Sequence, residues 1–185
     1  MPYLTSAFAT HGRRFVWLGL MLAASMAFTF GFACAVPSAA FGAIAALTLP
    51  RREALLLTVA LWLVNQVIGF GFLHYPWDGM TFLWGAILGG VAVLSTAAAL
   101  SVITLRSLFV SASSSFASAF IVYEGVLYLV SIPMGATEDF TAAIVLRILE
   151  INAAGFAALL AAALLIAAVR HQIDRTGSRA MTATR

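Results

Sequence analysis

The feature that most limits the fold of this sequence is an uncharged run from Phe15 to Pro50. A helix needs about 20 apolar residues to cross about 30 Å of hydrocarbon, so this run is too long for one straight span. Pro37 interrupts the run and disfavours a continuous helix through it. We therefore predict one span over 15–35 and a shorter one over 37–50.

Four more apolar runs follow, at 54–74, 82–105, 112–133 and 140–169. Of the 185 residues, 63% are hydrophobic and only 9% are charged, a composition that favours lipid over water as the surrounding solvent. The sequence therefore predicts an all-α integral membrane protein, with six transmembrane helices in a single domain over residues 15–169.

The arginines predict the orientation, because basic residues flank the cytoplasmic ends of membrane spans. With the N-terminus inside, nine of the ten arginines fall on the cytoplasmic side: Arg13, Arg14, Arg51, Arg52, Arg106, Arg170, Arg175, Arg179 and Arg185. This pattern requires the short second helix to cross. We expect 1–14 to be a cytoplasmic segment and 170–185 a polar, disordered cytoplasmic tail. Helical spans of this kind indicate a bacterial inner membrane.

The first span carries small residues at strict four-residue spacing. Gly19, Ala23, Ala27 and Gly31 share one helix face, which another helix can approach closely. This face favours a retained span over a cleaved signal peptide, although Arg13, Arg14 and the triplet Ala33-Cys34-Ala35 resemble one. It could serve internal packing or dock a partner.

The loop between the third and fourth spans combines aromatic, imidazole and carboxylate side chains. His74 and Asp78 lie four residues apart, but Pro76 between them disfavours a helix, so the pair is a weak metal motif. Tyr75 and Trp77 fit an aromatic belt at the lipid boundary. The alternative is a lid over an outward-facing ligand pocket, with the aromatic residues covering an apolar ligand face.

Polar residues inside the predicted spans need partners, because the bilayer core holds no water. Asn65 and Gln66 are candidates for interhelical hydrogen bonds or ligand contacts. Glu124 lies on the fifth span, and Arg147 and Glu150 on the sixth. Arg147 can pair with Glu150 along one face or with Glu124 on the neighbouring helix. These charges predict either a structural ion-pair network or a polar site between the two helices.

Enzymatic chemistry finds little support in the sequence. His11 and His171 lie outside the predicted spans and His74 is the last residue of one, at its outer end, so an intramembrane serine–histidine dyad is not predicted. No zinc-protease, phosphate-binding or dinucleotide motif occurs. We therefore expect a protein that is not an enzyme, with no intrinsic cofactor and no nucleic-acid partner.

Taken together, the layout resembles the substrate-binding S-components of energy-coupling-factor vitamin transporters. The resemblance rests on six helices in about 185 residues, the small-residue face of the first helix, and a short second helix entered through "CAVPSAAFGAIAALTLPRREALL". The segment "NQVIGFGFLHYPWD" at 65–78 is most similar to the solitary cobalamin-specific members, the BtuM group.

The resemblance implies uptake of a vitamin, with cobalamin or a related corrinoid as the transported ligand. It implies ligand contacts at His74, Tyr75, Trp77, Asp78, Asn65, Gln66 and Glu124, with His74 as an axial cobalt ligand. Ala23 and Ala27 would dock onto a transmembrane coupling protein that works with ATPase subunits. The alternatives are an S-component for another vitamin, a divalent metal-ion permease using His74 and Asp78, and a structural subunit of a membrane complex.

Overall fold

The computed structural model describes residues 2–32, 36–103 and 107–183. Every regular element in these ranges is helical: α1 Pro2–Ala7, α2 His11–Phe32, α3 Ser38–Thr48, α4 Arg51–Gly71, α5 Gly79–Ser101, α6 Leu108–Met134, a 3-10 turn Thr137–Phe140, and α7 Ala142–Ala183. Cys34 and Arg106 lie outside the described residues. The all-helical fold is as predicted.

Five of the described helices are long and apolar enough to cross a membrane, namely α2, α4, α5, α6 and α7. The predicted second span is different, because α3 has only 11 residues. At about 1.5 Å per residue it is roughly 16 Å long, about half the thickness of the hydrocarbon core. The structure thus contains five helices of spanning length and one apolar helix that is too short to span on its own.

The short helix α3 lies at the centre of the bundle. It contacts α1, α4, α5, α6 and α7, and its residues from Ala39 to Thr48 are all buried. The backbone N–H of Ala40, in its first turn, donates to Asn152 Oδ1 at 3.2 Å. In its last turn, Trp17 Nε1 donates to Thr48 Oγ1 at 3.1 Å. Because side chains from α7 and α2 bond near its two ends, α3 is enclosed by protein instead of lipid.

Polar contacts bring the beginnings of α2 and α4 to the same end of the bundle. Arg14 forms a salt bridge with Glu53 there, and Arg170 donates to the carbonyl of Ser6 in α1. We call this the arginine end. The loop that holds Asp78 lies at the opposite end, where α4 finishes. Since α2 and α4 both start at the arginine end, the chain between them must return along the bundle, and α3 provides about half of that return.

Both terminal segments contain helix, α1 in the first and the end of α7 in the second. Leu4, Ala7 and Phe8 are buried, and the ring of Phe8 stacks on Trp17 with 4.8 Å between ring centroids. The segment 1–14 is therefore part of the core at the arginine end, because its apolar side chains cover the end of the bundle. The segment 170–185, predicted to be disordered, continues α7 as helix through Ala183.

Two opposite faces of α2 have different surroundings. Trp17, Met21, Ser25 and Thr29 are buried, and they follow one another at four-residue spacing. Gly19, Ala23, Ala27 and Gly31 are exposed, and a Cβ built on either of the two glycines would meet no neighbouring atom. A two-residue offset turns a helix by about 200°, so the small residues point away from the bundle. The face is therefore not used for packing within the chain.

A close approach between α3 and α5 depends on Gly42. A Cβ at this position would lie 2.5 Å from Thr96 Oγ1. That hydroxyl is held in place, because it donates to the carbonyl of Ala92 at 3.0 Å and lies 2.9 Å from Thr58 Oγ1. A larger residue must therefore break a hydrogen bond or push the helices apart.

We expect Gly42→Ala to lower the free energy of unfolding by about 1–3 kcal/mol, the usual cost of overpacking. Thermal unfolding of the purified protein in detergent measures this. Gly90→Ala is the matched control, because Gly90 is also within a helix but has open space around its Cβ position. An equal loss of stability in both variants would contradict the close approach at Gly42.

Candidate ligand-binding site

The residues of the candidate site are positioned by an interlock between the antiparallel helices α4 and α5. Trp62 and Gln66 are four apart on α4, and Gly85 and Gly89 are four apart on α5. A Cβ at Gly89 would lie 2.6 Å from the Trp62 ring, and one at Gly85 would lie 2.6 Å from Gln66 Oε1. Trp62 Nε1 also donates to the carbonyl of Gly85 at 2.8 Å. The two glycines thus accommodate large side chains from α4.

A pocket of about 300 Å³ opens beside this interlock, at the end opposite the arginines. It combines two amide side chains with aromatic walls and is lined by Asn65, Gln66, Tyr75, Pro76, Met80, Thr81, Trp84, Gly85 and Leu88. Tyr75 reaches its place because its ring lies against Gly69 and its backbone N–H donates to the Gly69 carbonyl at 3.0 Å. A few polar groups in an otherwise apolar cleft are typical of small-molecule sites.

Three of the four predicted contacts in the loop before α5 lie outside this pocket. His74 is exposed and has a φ of 56°, the left-handed conformation that turns the chain before Pro76. Trp77 is 76% exposed and packs against Phe70 and Phe82. Asp78 caps α5, because its Oδ1 accepts from the backbone N–H of Thr81 at 2.8 Å. These positions fit an aromatic belt and a helix cap better than a closed lid.

His74 and Asp78 have no third metal ligand among the described residues. Among the described residues, no group of three or more histidine, cysteine, aspartate or glutamate side chains could hold a metal ion. Asp78 already uses one carboxylate oxygen for the helix cap. The axial role of His74 towards cobalt stays a prediction.

A second, smaller cavity lies deeper in the bundle. Its volume is about 50 Å³, enough for a few water molecules. Its wall is partly polar and includes Ser25, Val36, Ser38, Phe41, Thr58, Leu61, Trp62, Asn65, Gln66, Leu88, Ala92 and Tyr123. Asn65, Gln66 and Leu88 line both the pocket and the cavity, so they separate the two spaces. Asn65 Nδ2 donates to Thr29 Oγ1 at 3.1 Å, which connects this partition to α2.

The intramembrane charges do not form the predicted pairs. Within the described part of the chain, Arg14 and Glu53 form the one salt bridge. Arg147 and Glu150 are exposed on α7 and make no ion pair with each other or with Glu124. Glu124 is 8% exposed, and neither of its carboxylate oxygens has a hydrogen-bond partner among these residues. It lines neither of the two spaces, although its neighbour Tyr123 lines the cavity.

The helices, the pocket and the cavity define a multi-pass helical membrane protein with a small partly polar site at one end. No family model, no curated protein and no solved structure matches this chain. The S-component resemblance is therefore carried by the sequence features alone.

The cap at Asp78 predicts a dependence of stability on pH. The Thr81 backbone N–H, by donating to this carboxylate, holds the pKa of Asp78 below its ordinary value of 3.8. A lowered folded-state pKa stabilises the protein above the unfolded-state pKa, and this contribution is lost as pH falls through the folded-state value. We expect Asp78→Ala to lower the Tm at pH 7, and the difference from wild type to shrink below about pH 4.

Asp78→Asn is the control for this measurement, because asparagine is also a good N-cap but does not titrate. Its Tm should stay closer to that of wild type at pH 7, and its difference from Asp78→Ala should be independent of pH. A Tm for Asp78→Ala equal to that of wild type at pH 7 would show that the cap is not stabilising.

Proposed function

We propose that this protein is a membrane-embedded binding protein for the uptake of a small organic molecule, of the S-component type. The observation that carries the proposal is the pocket of about 300 Å³, in which two amide side chains face a space bounded by Tyr75 and Trp84. Amides offer both donors and acceptors, and aromatic rings cover a flat apolar ligand face. The ligand class that fits is a heteroaromatic compound of vitamin size.

Pocket size bears on the choice of vitamin. A volume of about 300 Å³ is at the lower limit for drug-sized ligands. Cobalamin, which combines a corrin macrocycle with a nucleotide, is much larger than such a ligand. Its binding would require the segment 72–78 to move away from α5. The pocket as it stands favours a smaller vitamin, and cobalamin remains the specific ligand to test first.

The exposed small-residue face of α2 supports the second part of the proposal, which is docking to a transmembrane coupling protein with ATPase subunits. Ala23 and Ala27 are exposed and have no packing role within the chain. In the proposed orientation, the arginine end faces the cytoplasm of a bacterium, α3 completes the sixth crossing, and the pocket opens on the outer side. A structural subunit would also use the α2 face, but it would not need the pocket.

Ligand binding to the pocket can be tested directly. We expect the detergent-purified protein to retain one vitamin per chain, tested with cobalamin by absorption spectroscopy and with smaller heteroaromatic vitamins by equilibrium dialysis. Gln66→Leu keeps the size of the side chain but removes its donors and acceptor. It should weaken binding roughly tenfold to a hundredfold, because an unpaired buried polar group costs about 1–3 kcal/mol.

Val67→Leu is the matched control, since Val67 is next to Gln66 but 66% exposed on the outside of α4. Its affinity should equal that of wild type. If none of the vitamins binds, or if both variants bind like wild type, the pocket is not the ligand site.

Docking through the small-residue face of α2 can be tested by transport. We expect Ala23→Leu combined with Ala27→Leu to leave ligand affinity and Tm unchanged but to abolish ligand uptake into cells, because the larger side chains block close helix approach. Met26→Leu, at an exposed residue of the same helix that is not part of the small-residue face, should transport normally. Normal uptake by the double variant would exclude docking through this face.

A further inference from the structure

Two charged side chains lie on the outward face of α7. Arg147 and Glu150 are exposed, and neither forms an ion pair within the described residues. They share this face because a three-residue offset turns an α-helix by about 300°, which leaves their directions about 60° apart. The opposite face carries the buried residues Asn152, Phe156 and Leu159. The two charges therefore point away from the bundle.

The depth of these charges follows from the packing of α7 against α6. Phe116 of α6 stacks on Phe156 of α7 with 4.8 Å between the ring centroids. The two helices are antiparallel and joined by the 3-10 turn. Nine residues from this stack towards the pocket end, α7 therefore reaches Arg147 at the level between Ile121 and Leu129 of α6. These two apolar side chains are 69% and 64% exposed, which is typical of the hydrocarbon region.

Charged groups at this depth need partners. An ionised side chain that faces lipid is costly, so such residues usually face protein or water, or pair with an opposite charge. An arginine near a helix end can extend towards the membrane surface. Glu150 has a shorter side chain and starts about 12 Å along the helix from Ala142, so this route is closed to it. A partner on another chain would meet the need of both charges.

The rest of the outward face is formed mainly by small side chains. Six exposed alanines lie on the same side of α7 as the two charges, namely Ala143, Ala154, Ala157, Ala158, Ala161 and Ala168. Small residues allow a second membrane helix to approach closely. The positions 147, 150, 154, 157 and 161 also follow the alternating three- and four-residue spacing of a seam between two coiled helices. The face is therefore suited to another helix.

We propose that two copies of this protein associate in the membrane through α7, with Arg147 of each copy paired to Glu150 of the other. Both copies insert in the same orientation, so the two-fold axis is perpendicular to the membrane and the two α7 helices are parallel. The paired residues then differ in depth by three residues, or about 4.5 Å, which an arginine side chain can span. The association does not depend on the vitamin-binding proposal.

Charge complementarity favours a second copy over an unrelated helix. The face carries one charge of each sign, so a two-fold axis brings each charge to its opposite. An unrelated helix would need both opposite charges at the matching depths, whereas a copy supplies them by symmetry. The small-residue face of α2 is uncharged and has no such need.

The test uses the full-length protein in phosphatidylcholine vesicles, with donor and acceptor fluorophores attached to the C-termini of separate populations. Resonance energy transfer at decreasing protein-to-lipid ratios gives the dissociation constant of the dimer. We expect transfer in the wild type that unlabelled wild-type protein competes away. Arg147→Glu and Glu150→Arg should each raise the dissociation constant roughly tenfold or more, because like charges then face each other. Absence of transfer in the wild type would overturn the proposal.

Mixing the two variants distinguishes pairing between copies from pairing within one helix. Arg147→Glu presents two acidic side chains and Glu150→Arg presents two basic ones, so the mixture should regain the transfer that each variant loses alone. Glu138→Arg is the matched control, because it makes the same charge change at an exposed residue outside α7 and should associate like wild type. Wild-type association of either variant alone, or a mixture without transfer, would overturn reciprocal pairing.

A further pair of variants tests the face without changing its charge. Ala161→Phe should weaken association, because a large ring keeps the two helices apart. Ile144→Phe should associate like wild type, since Ile144 is also exposed on α7 but points about 100° away from Ala161 around the helix. Equal association of the two variants would exclude this face as the dimer interface.

Discussion

Helix α3 has 11 residues, too few to cross a bilayer on its own. The arrangement of the other helices around it follows from this short length. A helix that ends inside the hydrocarbon leaves backbone donors and acceptors without water. Side chains meet part of this need, since Asn152 Oδ1 accepts from the Ala40 backbone N–H in the first turn of α3 and Thr48 Oγ1 donates to the Ile44 carbonyl. Trp17 Nε1 in turn donates to that threonine hydroxyl. Those partners lie on α7 and α2, so each of these two helices is joined to α3 by a buried hydrogen bond.

Runs of apolar sequence were sufficient to locate the five long helices. They could not show that α3 is enclosed, because hydrophobicity is the same whether a side chain faces lipid or protein. The same limit applies to the small residues of α2. Their spacing predicts a face but not its direction, and only the buried positions of Met21 and Ser25 show that Ala23 and Ala27 point outwards. The polar segment 170–185 was predicted to be disordered, but polarity does not by itself prevent a helix from continuing, and α7 extends through Ala183.

The candidate site was predicted in part. Asn65, Gln66 and Tyr75 come together in the pocket, as expected for residues near the end of one helix and in the loop that follows. Trp62 and Trp84 were not predicted as site residues, because the place of each depends on the register between α4 and α5. Gly85 and Gly89 have the same four-residue spacing as Trp62 and Gln66. Pairing the two glycines with these two large side chains gives the register between α4 and α5.

Helix α2 connects two surfaces that face opposite ways. On its inner side, Thr29 accepts a hydrogen bond from Asn65, which lies between the pocket and the cavity. On its outer side, Ala23 and Ala27 are exposed. Binding free energies at two sites on one movable element are reciprocal. If a macromolecule on the outer side and the proposed ligand both preferred one position of α2, each would change the affinity of the other by the same factor. A single helix would then couple ligand binding at the site to docking of the partner.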